Sequence, residues 1–186
     1  MNILKFIDTI YKISPKAKQA LLQIINEKQF AKNELVQPPD SSCRTVYFVK
    51  SGSARIFYYK DGNDITEHFA FANDIIVRAE SLFTGQTTVK GIETLSETVL
   101  LTIDANTLFQ LYDVHHEIER LFRLIFEKEY VNTIRRIESL QFQTATERYL
   151  QLLKTTDLIQ KIQLKHIASY LGITQVSLSR IRATLK

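Results

Sequence analysis

The chain has 186 residues, 45% of them apolar and 10% aromatic, enough for one good core and a small second domain. No segment approaches the ~20 continuous apolar residues of a membrane span. The single cysteine, Cys43, excludes an internal disulfide, an iron–sulfur cluster held by cysteines alone and a cysteine-rich zinc site.

The net charge of +4 is unevenly placed. Residues 141–186 carry seven Lys/Arg against two Asp/Glu, whereas residues 1–140 carry seventeen against eighteen. The positive excess therefore lies at one end, where it suits phosphate neutralisation, although a solvated basic surface has the same composition. The opening MNILKFIDTIYKISPK lacks a basic start, a long apolar run and a small-residue cleavage site. No signal peptide is expected, and the location expected is cytoplasmic.

In chain order, Asn2 to Ile13 is an apolar-striped helical segment. Ser14-Pro15 then supplies a hydroxyl cap and a first-turn proline for a second helix running roughly to Asn26. From about Phe30 to Asp104 the chain reads as strands. Arg44–Lys50 and Ala54–Lys60 flank Ser51-Gly52-Ser53, Asp61-Gly62-Asn63 turns into Asp64–Phe71, and Lys90–Leu95 and Thr98–Ile103 follow. Short strands rich in Val, Ile, Phe and Tyr at this spacing predict an antiparallel sandwich or barrel.

Asp104 is placed to cap a short helix, and a long helix follows from about Val114 to Leu140. Its opening is apolar nearly all round, with Ile118, Leu121, Phe122, Leu124, Ile125 and Phe126, and Tyr130, Ile134 and Ile137 continue an apolar face. One stripe packs on the strands and leaves another for a second copy. Burial of the whole helix in one subunit is the alternative, and the dimer is favoured because helix-turn-helix proteins usually meet two half-sites. Gln141–Gln143 reads as a hinge, since Thr144-Ala145-Thr146-Glu147 is a capping box opening a helix to about Lys154.

The last stretch, LKHIASYLGITQVSLSRIRATLK (Leu164 to Lys186), has the pattern of a DNA-binding helix-turn-helix. Gly172 allows the left-handed turn, Ala168 permits close helix approach, and Thr174 caps the second helix. Ile167, Leu171, Ile173, Leu178 and Ile181 form the inward set. Outward lie Gln175, Val176, Ser177, Ser179, Arg180 and Arg182. Gln and Arg can each make paired hydrogen bonds to a base edge, and Ser reaches bases or phosphates. Two helices merely capping another domain would not need so polar and basic an outer face.

This order of elements resembles the Crp/Fnr family of bacterial transcription regulators, over almost the whole chain. Its most specific stretch is Thr144–Arg182, where a helix, a short wing-like segment and the helix-turn-helix follow in the family's order. VKSGSARIFYYKDGND also resembles the family's glycine-turn hairpin. The resemblance implies an α+β fold: an antiparallel, jelly-roll-like β-roll sensor with N-terminal helices (1–113), a dimerisation helix (114–140) and a winged helix-turn-helix (141–186). It also implies a homodimer reading a pseudo-palindromic operator in double-stranded DNA, with RNA polymerase a candidate further partner. By position, Gln175, Val176 and Arg180 fall at the base-reading sites, and Thr174, Ser177 and Ser179 nearer the backbone. Val176 stands where many members carry glutamate, so the operator should differ from the best-known one; valine can meet a thymine methyl but cannot accept from cytosine.

Members that bind cyclic nucleotides hold the phosphate with Arg followed by Ser or Thr, and the ribose with an earlier Glu. Here Thr88 and Val89 fall where Arg and Ser would be. Without that guanidinium the phosphate loses its bidentate partner, which argues against cyclic AMP in the usual manner. Arg78, Glu80, Thr88 and Lys90 are the candidates for an effector pocket, to be weighed against ordinary loop and strand-surface roles, and the effector is either an unidentified small molecule or absent.

No metal or cofactor is expected. His115-His116 point about 100° apart on a helix, and His68 and His166 lie far away in sequence. Cys43 reads as a packing thiol or a redox switch. No nucleophile elbow, glycine-rich phosphate loop or persuasive carboxylate pair supports catalysis. An adaptor whose helical tail binds protein would leave the basic recognition face unexplained, so the reading is a dimeric DNA-binding regulator.

Overall fold

The structure, a computed structural model, describes residues 3–155 and 157–185. The expected first-helix start at Asn2 and the last residue, Lys186, lie outside them. Two helices, α1 (Ile3–Ile10) and α2 (Pro15–Gln23), lead into eight strands: β1 (Ile25–Phe30), β2 (Leu35–Gln37), β3 (Thr45–Ser51), β4 (Ser53–Lys60), β5 (Asn63–Phe71), β6 (Ile75–Ile76), β7 (Gly91–Thr94) and β8 (Thr98–Asp104). A short helix, α3 (Ala79–Thr84), interrupts them between β6 and β7. Then come α4 (Ala105–Val114), α5 (His116–Phe142), α6 (Ala145–Thr155), a 3-10 turn (Asp157–Lys161), α7 (Leu164–Tyr170) and α8 (Gln175–Thr184).

The strands form two antiparallel four-stranded sheets, ordered β1-β8-β3-β6 and β2-β7-β4-β5. Alternation along β3 explains the layering. Val46 and Phe48 face outward into a cluster with Ile7, Leu21 and Leu108 under the helices. Tyr47 and Val49 face inward against Ala54, Ile56 and Ile92 of the second sheet. A central strand buried on both faces needs this continuous apolar run. The outer face of the second sheet is covered too: Phe69 and Phe71 of β5 share a cluster with Tyr149, Ile167, Leu171 and Leu178. The molecule is thus four layers deep, from the outer helices through two sheets to the C-terminal helices.

Several local signals act as read. Ser14 caps α2 by accepting from the Ala17 N–H at 3.3 Å, and also donates its hydroxyl to Glu117 at 2.7 Å, tying α2 to the start of α5. Asp104 caps α4 through the Thr107 N–H at 2.9 Å. Other elements differ from the expectation. α2 stops at Gln23, because Ile25–Phe30 pairs with β8 as an edge strand. Partner strands supply that structure, and the sequence INEKQF has little strand propensity of its own. The stretch after α6 is a 3-10 turn, and no strand occurs in 141–186 among the described residues.

The β3–β4 turn depends on Gly52, at φ +88°, where an added Cβ would lie 2.3 Å from the Glu97 carbonyl oxygen and 2.5 Å from Thr98 Oγ1. Thr98 in turn exchanges hydrogen bonds with the backbone of Ser53. Gly62, at φ +75°, has nothing within 4 Å of the same position. Gly62→Ala should therefore lose only the left-handed strain of about 1 kcal/mol. Gly52→Ala should lose at least about 2 kcal/mol more, because backbone must move as well. Urea unfolding of the two variants checks this, and equal losses would contradict it.

Candidate nucleic-acid interface

The C-terminal module is built from its caps outward. At the end of α5, Thr144 opens α6 through a reciprocal box. Its N–H and hydroxyl reach Glu147 Oε2 at 2.7 and 2.8 Å, and the Glu147 N–H returns to Thr144 Oγ1 at 3.2 Å. These bonds hold the exposed Glu147 carboxyl below its usual range. Thr174 caps α8, accepting from the Ser177 N–H at 3.1 Å. Gly172, at φ +69°, makes the turn between α7 and α8. Leu171 and Leu178 are fully buried and Ile167 and Ala168 nearly so, while Ile173 and Ile181 pack partly exposed at the margin.

This register leaves Gln175, Val176, Ser179, Arg180 and Arg182 exposed, with Val176 62% exposed. Ser177 is half-buried, its hydroxyl 3.0 Å from that of Thr174, so both belong to the cap. Lys161 and Lys165 are exposed nearby. Two arginines brace the turn from behind. Arg148 of α6 donates to the Leu171 carbonyl at 2.9 and 3.1 Å. Arg136 of α5 donates to the Tyr170 carbonyl and lies 4.0 Å from the centre of the Tyr170 ring. Guanidinium groups at the last carbonyls of α7 satisfy orphan acceptors and suit the negative end of the helix dipole.

The module sits on β5. The Thr66 N–H donates to Ser169 Oγ at 3.1 Å, and the Phe69 and Tyr170 rings are 4.9 Å apart. Beneath α7 lies a buried charge network. Arg55, 2% exposed, grips Asp64 with two bonds of 2.5 and 2.7 Å and donates to Glu93 at 2.8 Å. Burial alone would raise the Asp64 carboxyl, but the Arg55 bonds and charge outweigh it and leave it below the ordinary range. His166 of α7, 4% exposed, places Nδ1 3.8 Å from Asp64. Burial first and the Arg55 charge second push its pKa down to about 4, so the ring is neutral near pH 7. Nothing in the sequence pattern marks this seat, since its residues lie on β4, β5, β7 and α7 and only folding brings them together.

The effector-pocket candidates fall differently. Arg78 is 3% exposed and spends its guanidinium on backbone carbonyls, those of Ser41 at 2.7 Å and of Lys90. Thr88 is buried, accepts from the Lys90 N–H at 3.0 Å and bridges Ser41. Lys90 pairs with Glu67 at 2.7 Å, and Glu80 is exposed on α3. Arg78, Thr88 and Lys90 thus meet at one corner, and Glu80 does not join them. Cys43 is buried, its sulfur 3.8 Å from the Tyr47 hydroxyl. Among the described residues no three His, Cys, Asp or Glu side chains are grouped to hold a metal ion. Nor is any helix among them long and apolar enough to cross a membrane.

Residues 27–115 match the family model of the cyclic nucleotide-binding domain. Among solved structures, the c-di-GMP-responsive global regulator CLP of Xanthomonas campestris superposes with a TM-score of 0.71 at 18% identity. The match covers 92% of this chain and 91% of that one. FixK2 of Bradyrhizobium japonicum gives 0.73 at 21% identity, over 87% and 84% of the two chains. A regulator of the Crp/Fnr family from Eubacterium rectale gives 0.70 at 18%, over 92% and 83%. The fold is that of the Crp/Fnr regulators. No curated protein matches the sequence.

In this fold the seat of the helix-turn-helix is pH-sensitive. An unfolded histidine takes up a proton near pH 6.5, whereas His166 refuses it until about pH 4. Between these values the unfolded state binds more protons, so stability falls as pH is lowered through the window. Burial shifts His68 in the same direction, so His166→Gln should remove only part of the slope. The expected change is on the order of 1–2 kcal/mol less stability lost between pH 7.5 and 5.0, read by chemical denaturation. An unchanged slope would mean that His166 titrates as if solvated.

Proposed function

We propose that the protein is a sequence-specific DNA-binding transcription regulator that reads a pseudo-palindromic operator as a homodimer. The observation that carries this reading is the outer face of α8. Gln175, Val176, Arg180 and Arg182 stand exposed on a helix whose cap, turn and buried Leu178 fix its angle. A helix so presented suits the major groove. Gln175 and Arg180 then read base edges, Val176 meets a thymine methyl, and Lys161 and Lys165 neutralise phosphates. Thr174 and Ser177 stay nearer the backbone, as their place in the cap requires.

Pairing of two copies falls to α5. Beyond its buried start, Tyr130, Val131, Ile134, Ile137 and Leu140 are 37–68% exposed. An apolar stripe of this length on a helix suits an isologous contact with the same stripe of a second copy. Cyclic AMP is not the signal on this reading, because Thr88 takes the place of the phosphate-binding arginine and Arg78 is committed to carbonyls. The signal is a different small molecule, or none is needed.

Selection from a random duplex pool at near-physiological salt tests the reading. An inverted repeat with half-sites about one helical turn apart should be enriched. Arg180→Ala should cost on the order of 1–3 kcal/mol and relax one base pair in each half-site. Ile134→Glu should yield monomers in sedimentation and lose the repeat. Absence of any enriched sequence, or an equal loss on all sequences for Arg180→Ala, would contradict base reading by α8.

A further inference from the structure

The turn between α5 and α6 sets two polar helix faces side by side. On α5, Asn132, Arg135, Arg136 and Ser139 fall at i, i+3, i+4 and i+7, which is one face of the helix. On α6, Arg148, Gln151 and Leu152 repeat the first three of those intervals. These residues, with Tyr170 and Leu171 at the end of α7, line a cavity of about 200 Å³. The apolar stripe of Tyr130, Ile134 and Ile137 lies roughly on the opposite side of α5, at 100° per residue. A partner helix seated on that stripe therefore leaves the cavity open.

A joint between helices is ordinarily filled by apolar side chains. This one is lined by three arginines and by no Asp or Glu. Arg148 is used up within the chain. Its Nε and Nη2 donate to the Leu171 carbonyl at 3.1 and 2.9 Å, and its Nη1 to the Gln143 carbonyl. Arg136 is used only in part: Nη2 donates to the Tyr170 carbonyl, and Nε has no partner among the described residues. Arg135 is exposed and forms no ion pair among the described residues. Burial lowers the Arg136 pKa, and the Arg148 charge beside it pushes the same way. Glu67 acts on Arg136 from beyond ion-pair distance and is itself held by Lys90 at 2.7 Å. The carbonyls at the end of α7 offer only about half an elementary charge. Positive charge is left over, and nothing on this chain meets it.

We infer that this cavity binds a free phosphoryl oxyanion, either inorganic phosphate or the phosphate group of a small monoester, held chiefly by Arg135 and Arg136. Charge selects the ligand class. A dianion offsets the two arginines that no carboxylate meets, whereas a cation or an apolar molecule gains nothing from this lining. Guanidinium groups suit phosphate in geometry as well, since their planar donors match its oxygens and the bonds are charge-assisted. Size sets the limit. Liquid water occupies about 30 Å³ per molecule, so the cavity takes a tetrahedral oxyanion with some water beside it. The same chemistry is present in the backbone of DNA, but the inference does not rest on DNA reading by α8.

Calorimetric titration of the full chain with sodium phosphate, at pH 7.5 and at an ionic strength held constant with chloride, tests occupancy without DNA. It should give one saturable site per chain. Arg135→Ala removes a side chain with no ion pair, so it should leave the melting temperature in chloride unchanged. It should weaken phosphate binding about tenfold, the equivalent of 1.4 kcal/mol. Arg135→Glu places a counter-charge at the site and should abolish binding. Lys60→Ala removes an exposed cation at the end of β4 and should retain it. Absence of a saturable site would overturn the inference, as would binding that survives Arg135→Glu or is weakened equally by Lys60→Ala. A labelled duplex, shown by anisotropy to be bound, separates the two sources of phosphate. Phosphate should stay in place, and its displacement would assign the arginines to a DNA strand and overturn the free-anion site. The titration without DNA stands or fails independently of whether α8 reads DNA.

Discussion

Ile118, Leu121, Phe122 and Ile125 fasten the first turns of α5 to the roll, and the remaining 17 residues of that helix project from this clamp. At about 1.5–3 kcal/mol for each large apolar side chain removed from water, the four together set the direction of the helix firmly. Glu117 adds a second constraint by accepting from the backbone and hydroxyl of Ser14 at its first turn. The C-terminal helices take their position from this helix and from their seat on β5. Its apolar stripe stands exposed where the proposed second copy would pack, its polar face lines the cleft beside the roll, and its Arg136 braces the turn of the helix-turn-helix. A helix is rigid over such a length, so a shift at one of these surfaces is felt at the others.

The seat of the C-terminal helices on β5 is the second determinant. A strand face exposed on one side usually carries solvated polar residues. Here it carries Phe69 and Phe71 together with the Arg55–Asp64–Glu93 network, and α7 covers both. Breaking a buried pair by removing one partner is strongly destabilising, because it leaves an uncompensated charge. The seat therefore favours one docking geometry over a greasy continuum of them. His166 stays neutral within it, and Ser169 takes the one backbone donor of Thr66 that strand pairing leaves toward α7.

Legibility in the sequence followed locality. β3, β4, β5, β7 and β8 were readable because their alternation and turn residues act within a few positions, and the caps at Ser14, Asp104, Thr144 and Thr174 for the same reason. The helix-turn-helix was the clearest, since the turn glycine, the cap and the inward set share one register. β1 was not readable, because its pairing with β8 spans some seventy positions and its own residues favour no strand. The charge network under α7 was hidden likewise, its four residues being scattered from Arg55 to His166. The cleft was hidden for another reason. Glu129, Asn132, Thr133 and Arg136 look like an ordinary solvated helix face until the roll is seen opposite them.

The central claim is that two copies joined along α5 present two α8 helices to one duplex. Pulsed dipolar spectroscopy tests it most directly, with a spin label on the exposed end of α8, as Ala183→Cys in a Cys43→Ala background. With the selected duplex bound, the account predicts a single interspin distance centred near the length of one DNA turn, about 34 Å. Loss of interspin coupling on the duplex would mean that one chain binds alone, and the account would fail.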